Sequence, residues 1–237
     1  MREHMKVKLL TLPTQVAGVL VSRISNGELR DGRVPSELEI SVEFGVSRAV
    51  AREALKILSS LDMVEIAQGR RVSLRPATEW DYLSPLLIEW LPPKQVLHLL
   101  HELHEARIMF EPAVAAHAAT SFSDADLKHL GELLEAMAAH EDDPDRYLEL
   151  DLEFHMEICK ATRNRMLERF MHASRWWQTA GRRISNQGPR ALPVATQQHR
   201  AIFEALRARD PAKAEEAMRR HLLANKLSLP VKEDETA

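Results

Sequence analysis

The sequence predicts a mainly α-helical chain in two parts. A small N-terminal head has three short helices closed by a β-ribbon, and a larger body is built of antiparallel helices. Three observations carry this prediction. Apolar residues recur at helical spacing along most of the 237 residues. Two short β-prone runs, Val64-Glu65-Ile66 and Val72-Ser73-Leu74, flank a turn at Gly69-Arg70-Arg71. A joint rich in Trp and Pro, with Trp80, Pro85, Trp90, Pro92 and Pro93, lies between Arg75 and Pro93 and separates the two parts.

In the head, Leu12 to Ser25 reads as a first helix with Val16, Val19, Leu20 and Ile24 inward, ended by Asn26-Gly27. Pro35 to Leu55 reads as two short helices around a tight turn. Ser36 can cap the first, and Glu39 three residues later completes a capping box. Leu38, Ile40 and Val42 suit a short helix buried on more than one side. Gly45 can take the left-handed conformation that ends it, Val46 packs inward, and Ser47 caps the next helix. That helix carries Arg48 and Arg52 on one face, four residues apart, with Val50, Ala54, Ile57 and Leu58 opposite. A capped helix with an apolar back and leading arginines suits entry into a DNA major groove. The arginine pair alone would serve equally well as a solvated face.

In the body, Lys94 to Thr120 predicts one long helix bent near Pro112. Ser123 caps a helix ending near His140. Asp143-Pro144 opens another that runs through Lys160. A further helix spans about Asn164 to Ile184, followed by a loop at 186–193. The last two helices, Ala195–Arg209 and Pro211–Leu227, meet at Asp210-Pro211. Asp151 and His155 share a helix face at i, i+4, a metal-chelating spacing. His199 precedes Asp210 by 11 residues and His221 follows it by 11. At 1.5 Å per residue each lies about 16 Å from the turn, so an antiparallel pair brings them level. If the Asp151 helix packs alongside that pair, Asp151, His155, His199 and His221 form a candidate ligand cluster. His98, His101 and His104 spread around the long helix and read as surface or interface residues.

Composition bounds the function. Residues 1–76 hold 12 Lys and Arg against 9 Asp and Glu, and the rest holds 20 against 26. A mildly basic head on an acidic body fits a nucleic-acid reader whose body stays off the phosphates. No window approaches the roughly 18 uninterrupted apolar residues of a membrane span. The one cysteine, Cys159, excludes an internal disulfide framework and fits a reducing cytoplasm.

V-P-S-E followed by G-V-S-R-x-x-x-R-E-A-L resembles the winged helix-turn-helix of the GntR family of transcription regulators, over about Leu10 to Pro76. D-L-E-F-H-M-E-I-C-K-A-T-R-N, with Q-H-R-A-I-F-E-A-L and R-R-H-L further on, resembles the FCD domain of the FadR-type branch, over about Leu97 to Leu227. The resemblance implies a winged helix-turn-helix at 8–76, a linker at 77–93 and an all-α FCD bundle at 94–228. It implies a homodimer on double-stranded operator DNA. Contacts would come from Arg48 and Arg52 in the recognition helix, from Ser36 and Ser47, and from Arg33, Arg70 and Arg71. Arg71 stands where the family's wing usually has a second glycine. The resemblance also implies a divalent metal, Zn, Ni or Mn, on Asp151, His155, His199 and His221. Gln198 replaces the family's usual Glu before the third ligand. Arg107 resembles the family arginine that clamps a carboxylate; the alternative is an intrahelical pair with Glu111. Asn164 matches a pocket asparagine, or is a helix cap.

Two functions fit these residues. One is a regulator, a repressor, whose operator binding responds to a small carboxylic acid. R-P-A-T-E-W-D-Y-L-S-P-L-L-I-E-W is similar to the linker of sugar-acid regulators such as galactonate-operon repressors, which points to a sugar acid. The alternative is a metal-dependent enzyme acting on a carboxylate, with an appended winged helix. It lacks an evident general base in a motif such as H-E-x-x-H.

Overall fold

The computed structural model describes residues 10–29, 33–67, 71–177, 179 and 191–224. Helix α1 spans Leu12–Ser25 and buries Val16, Ala17, Leu20, Val21 and Ile24. Val19, expected inward, is 43% exposed. At about 100° per residue it sits roughly 130° from the centre of that stripe. Helix α2 (Glu37–Phe44) starts at Ser36, whose hydroxyl accepts from the Glu39 amide while the Glu39 carboxylate accepts from the Ser36 amide. Gly45 ends it at φ 64°, a conformation that a side chain resists. Ile40 is the residue α2 buries, with Leu38 51% and Val42 76% exposed. The helix is packed on one side, not several.

Helix α3 (Arg48–Ser60) is capped by Ser47, which accepts from the Val50 amide. It buries Ala51, Ala54, Leu55 and Leu58, while Val50 and Ile57 sit half-buried at the edges of that face. Strand β1 (Val64–Glu65) pairs antiparallel with β2 (Ser73–Leu74), Val64 opposite Leu74 and Glu65 opposite Ser73. Each strand is one residue shorter than its sequence run.

The Trp- and Pro-rich joint has structure that its composition did not suggest. A 3₁₀ turn at Ala77–Glu79 is followed by helix α4 (Pro85–Trp90). Pro85 takes the first helical position, where a missing N–H costs nothing. The joint packs on the head. The Asp81 amide donates to the Leu61 carbonyl at 2.9 Å, and Trp80 Nε1 donates to the Arg75 carbonyl at 3.2 Å. The Trp90 indole lies where a Cβ on Gly18 would meet it at 3.0 Å. Gln95 Nε2 donates to the Ser25 carbonyl at 2.6 Å. The chain divides into two compact units between Val96 and Leu97.

Among the described residues, the second unit takes most of α5 (Pro93–Ala119, Pro112 inside it), then α6 (Asp124–Ala139), α7 (Pro144–Ala161), α8 (Arg165–Ala173), α9 (Ala191–Arg207) and α10 (Pro211–Ala224). Ser123 builds a capping box with Asp126, and Asp143 caps α7 ahead of Pro144. Helix α9 begins four residues before its sequence estimate. Pro193 falls in its first turn, where proline is tolerated. Asp210 caps α10 by accepting from the Lys213 amide at 3.1 Å. Helix α9 packs on α10 and α6, and α6 on α7. The core between them includes Leu130, Leu134, Tyr147, Phe154, Ile158, Ile202 and Leu206.

Candidate functional site

Helix α7 holds Asp151 and His155 one turn apart in its buried face. The α9–α10 pair, joined by a short turn through Asp210, brings His199 and His221 level, with ring centroids 4.2 Å apart. All four residues are at most 2% exposed. One ligand-type atom from each lies within 4.8 Å of the others. His199 Nε2 is 2.9 Å from Asp151 Oδ1, and His155 Nε2 is 3.8 Å from the same oxygen. The Nε2 atoms of His155 and His199 face each other at 3.4 Å. Phe154 meets the His199 ring edge-on, centroids 5.0 Å apart, and limits its rotation.

Each imidazole is held at its other nitrogen. His155 Nδ1 donates to Glu111 Oε2 at 2.8 Å, His199 Nδ1 to the Ala195 carbonyl at 2.7 Å, and His221 Nδ1 to Gln198 Oε1 at 3.1 Å. Carboxylate, peptide and amide oxygens can only accept, so each Nδ1 carries a hydrogen, and the neutral ring then offers its Nε2 as the ligand atom. Three such nitrogens gathered about one carboxylate make a concentrated donor set that suits a cation. Three imidazoles and one carboxylate are the donors that borderline divalent ions take. The four residues fit such an ion, and Gln198, which stands where the family usually has Glu, supports His221 through a neutral amide oxygen.

Helix α5 adds a polar stripe. Arg107 is buried and forms an ion pair with Glu111 through Nε and Nη2. Glu111, 2% exposed, holds Arg107 on one side and His155 on the other. Burial opposes its ionisation, yet the charge of Arg107 and the hydrogen bonds from Arg107 and His155 outweigh this and hold it well below the usual carboxylate range. Sequence reasoning weighed Glu111 only as the i+4 partner of Arg107. Its link to His155 spans 44 residues and has no local signal. His104, read from the sequence as a surface or interface residue, is 8% exposed, on the α5 face that carries Arg107. Asn164 caps α8 by accepting from the Met166 and Leu167 amides, and the residue is exposed. A cleft of about 510 Å³ between α9 and α10 has Gln198 and His221 in its walls, but not Asp151, His155 or His199.

In the head, Arg48 and Arg52 stand exposed on the solvent face of α3. Arg52 grips Glu37 through Nε and Nη2 at 2.8 and 2.9 Å, and that hydrogen bond lowers the Glu37 pKa. Arg33 pairs with Glu39 of the capping box. Arg33 first, then Ser36, hold that carboxyl well below its ordinary value. The Ser36 and Ser47 hydroxyls are engaged in their caps. Arg71 is exposed, and Arg70 lies outside the described residues. Helix α3 thus buries its alanine and leucine face and turns two arginines outward from a capped N-terminus.

Residues 12–74 match the family model for bacterial regulatory proteins of the gntR family, and residues 102–224 match the FCD domain. The chain belongs to the GntR family. This GntR regulator is 28% identical over 186 residues to the galactonate operon transcriptional repressor of Escherichia coli (strain K12), covering 78% of this chain and 81% of that repressor. It is 31% identical over 218 residues to the HTH-type transcriptional repressor NanR of Klebsiella aerogenes, covering 89% and 82%. A solved structure, Streptococcus agalactiae GntR, matches with a TM-score of 0.50 at 25% identity, over 90% of this chain and 98% of that one. As a GntR and FCD protein the chain is a DNA-binding transcription regulator, with α3 as the recognition helix of a winged helix-turn-helix. The enzyme reading falls, because both matched families and the named relatives are regulators.

Proposed function

We propose that this GntR regulator is a cytoplasmic homodimeric repressor that leaves its operator when a small carboxylic acid binds beside a divalent ion in the FCD domain. The observation that carries this reading is the buried set Asp151, His155, His199 and His221, with each Nδ1 occupied and each Nε2 turned inward. Those four residues would hold Zn²⁺, Ni²⁺ or Mn²⁺, and the ion would supply a Lewis-acidic point for an anionic oxygen. Arg107 would take the acid's carboxylate. Its guanidinium has five N–H donors, and the pair with Glu111 uses two of them. The relative named for the galactonate operon supports a sugar acid as effector.

On the DNA side, Arg48 and Arg52 would reach bases or phosphates from α3. Arg33, Arg70 and Arg71 would touch the backbone, with Ser36 and Ser47 presenting helix N-termini to phosphates. Arg52 and Arg33 must first give up Glu37 and Glu39. One short recognition helix reads only a few base pairs, so a dimer on a near-palindromic site follows. We assign DNA reading to residues 8–76, sensing to 94–228, and the signal between them to 77–93. A ligand changes DNA affinity only if it binds the two arrangements of the heads unequally. A thermal-shift screen of sugar acids, with and without added metal, followed by operator release measured by fluorescence anisotropy, tests the proposal. A metal-dependent hit that releases DNA from the wild type, but not from Arg107→Ala, is expected. A hit whose release is equal in both proteins removes Arg107 from the mechanism, and the absence of any carboxylate response removes the effector reading.

A further inference from the structure

Glu111 is the one buried group on α5 whose two oxygens serve both halves of the proposed site. Its Oε2 accepts from His155 Nδ1 at 2.8 Å, and its Oε1 accepts from Arg107 Nε. All three residues are at most 6% exposed, so water does not substitute for either contact. The other two histidines lean on neutral acceptors, the Ala195 carbonyl and the Gln198 amide. His155 alone among the three leans on a carboxylate. A carboxylate behind an imidazole fixes its tautomer and raises its basicity as a ligand, and its charge does the second more strongly than a neutral acceptor can.

We infer that Glu111 is a positioning residue that sets the metal affinity of His155 and couples it to the occupancy of Arg107. The inference rests on the metal reading above. Glu111 touches neither ion nor effector and acts through the two residues that do. When the guanidinium draws on Glu111, the carboxylate gives less to His155. When an incoming anion takes up the guanidinium, Glu111 is released toward His155 and the metal is held more tightly. Linkage then requires the metal to tighten the anion by the same factor.

The test is a double-mutant cycle read in zinc affinity, with a chromophoric chelator as competitor and no effector present. The proteins are the wild type, Glu111→Gln, Arg107→Met and the double variant. Gln keeps an oxygen for His155 Nδ1–H but loses the charge. Glu111→Gln is expected to weaken zinc about tenfold or more, with the helical circular-dichroism spectrum kept and the zinc-free melting temperature lowered because Arg107 loses its buried counter-ion, so zinc affinity is compared between folded proteins. Arg107→Met is expected to tighten zinc several-fold with Glu111 present and to leave it unchanged with Gln at 111. That non-additivity is the signature of action through Glu111. Equal zinc affinity in the wild type and Glu111→Gln overturns the inference while the metal reading stands. Additive effects overturn the coupling, because Arg107 then acts without Glu111. Zinc that fails to bind the wild type removes the metal reading and this inference with it. Should Arg107→Met not fold, Arg107→Gln takes its place in the cycle.

Discussion

Removing the metal should lower the melting temperature of the FCD domain by an amount that the site's architecture sets. The proposed ligands come from α7, α9 and α10, so an ion would bind the packed bundle far better than the unfolded chain. The stabilisation is then RT ln(1 + [M]/Kd), about 2.7 kcal/mol at a free metal concentration of 100 Kd. For a domain of this size about 1 kcal/mol moves the midpoint by roughly 2–4 °C, so chelation should lower it by about 5–11 °C. The assay is calorimetry or dye-monitored melting with chelator, then with Zn²⁺, Ni²⁺ or Mn²⁺ restored. His199→Ala supplies the control. It deletes a ring that is 0% exposed and packed against Phe154, and that deletion alone costs roughly 2–5 kcal/mol by analogy with large-to-small core changes. The relevant quantity is therefore the difference with and without metal inside each protein, in which the cavity term cancels. The increment should be present in the wild type and absent in His199→Ala. An equal increment in both proteins would refute the site, and so would a wild-type midpoint indifferent to chelator and metal.

Three further outcomes are expected. Arg52→Ala should weaken operator binding about tenfold or more if the guanidinium makes a bidentate base contact, whereas Glu37→Gln, which frees Arg52, should leave affinity unchanged or raised; fluorescence anisotropy on operator DNA reads both, and a loss in Glu37→Gln would mean that the Arg52–Glu37 pair itself shapes the bound head. Cys159 is fully buried, and its thiol is pushed up to about 11 by burial first and by Glu168 and Glu111 next. It should resist a thiol reagent at pH 8 in the folded protein and react fully in denaturant. Gly18→Val should destabilise the head by about 1–3 kcal/mol, since even a Cβ there meets the Trp90 indole at 3.0 Å; urea unfolding that matches wild type would show that α4 moves aside.

What could be read from the sequence was what is local or set by helical arithmetic. Ser36, Ser47, Ser123 and Asp143 cap the helices they were expected to cap, because a cap needs only residues three apart. Asp151 and His155 share a turn, and His199 and His221 stand equally far from Asp210, so each pair followed from rise per residue; that α7 brings the two pairs together is a tertiary fact that spacing alone does not give. The misses are tertiary. Val19, Leu38 and Val42 are apolar but exposed, and apolar character does not say which side of a helix finds a neighbour. The six residues of α4 were hidden in a stretch that composition marks as a breaker. Glu111 meets His155 only because α5 lies beside α7.

The placement of the ligands in mid-helix has a kinetic consequence. Loops can part and let an ion out while the rest of a domain stays intact. Here Asp151, His155, His199 and His221 lie inside three packed helices, with almost no surface of their own. An ion held there would exchange slowly, because widening its path costs core contacts such as those of Phe154 and Ile202. Exchange with the surrounding metal pool would then depend on local opening as well as on ligand dissociation. The protein would carry the metal present when it folded, and its occupancy would record past supply more than present concentration. A regulator so built separates two clocks, a slow one for the ion and a fast one for the acid it helps to recognise.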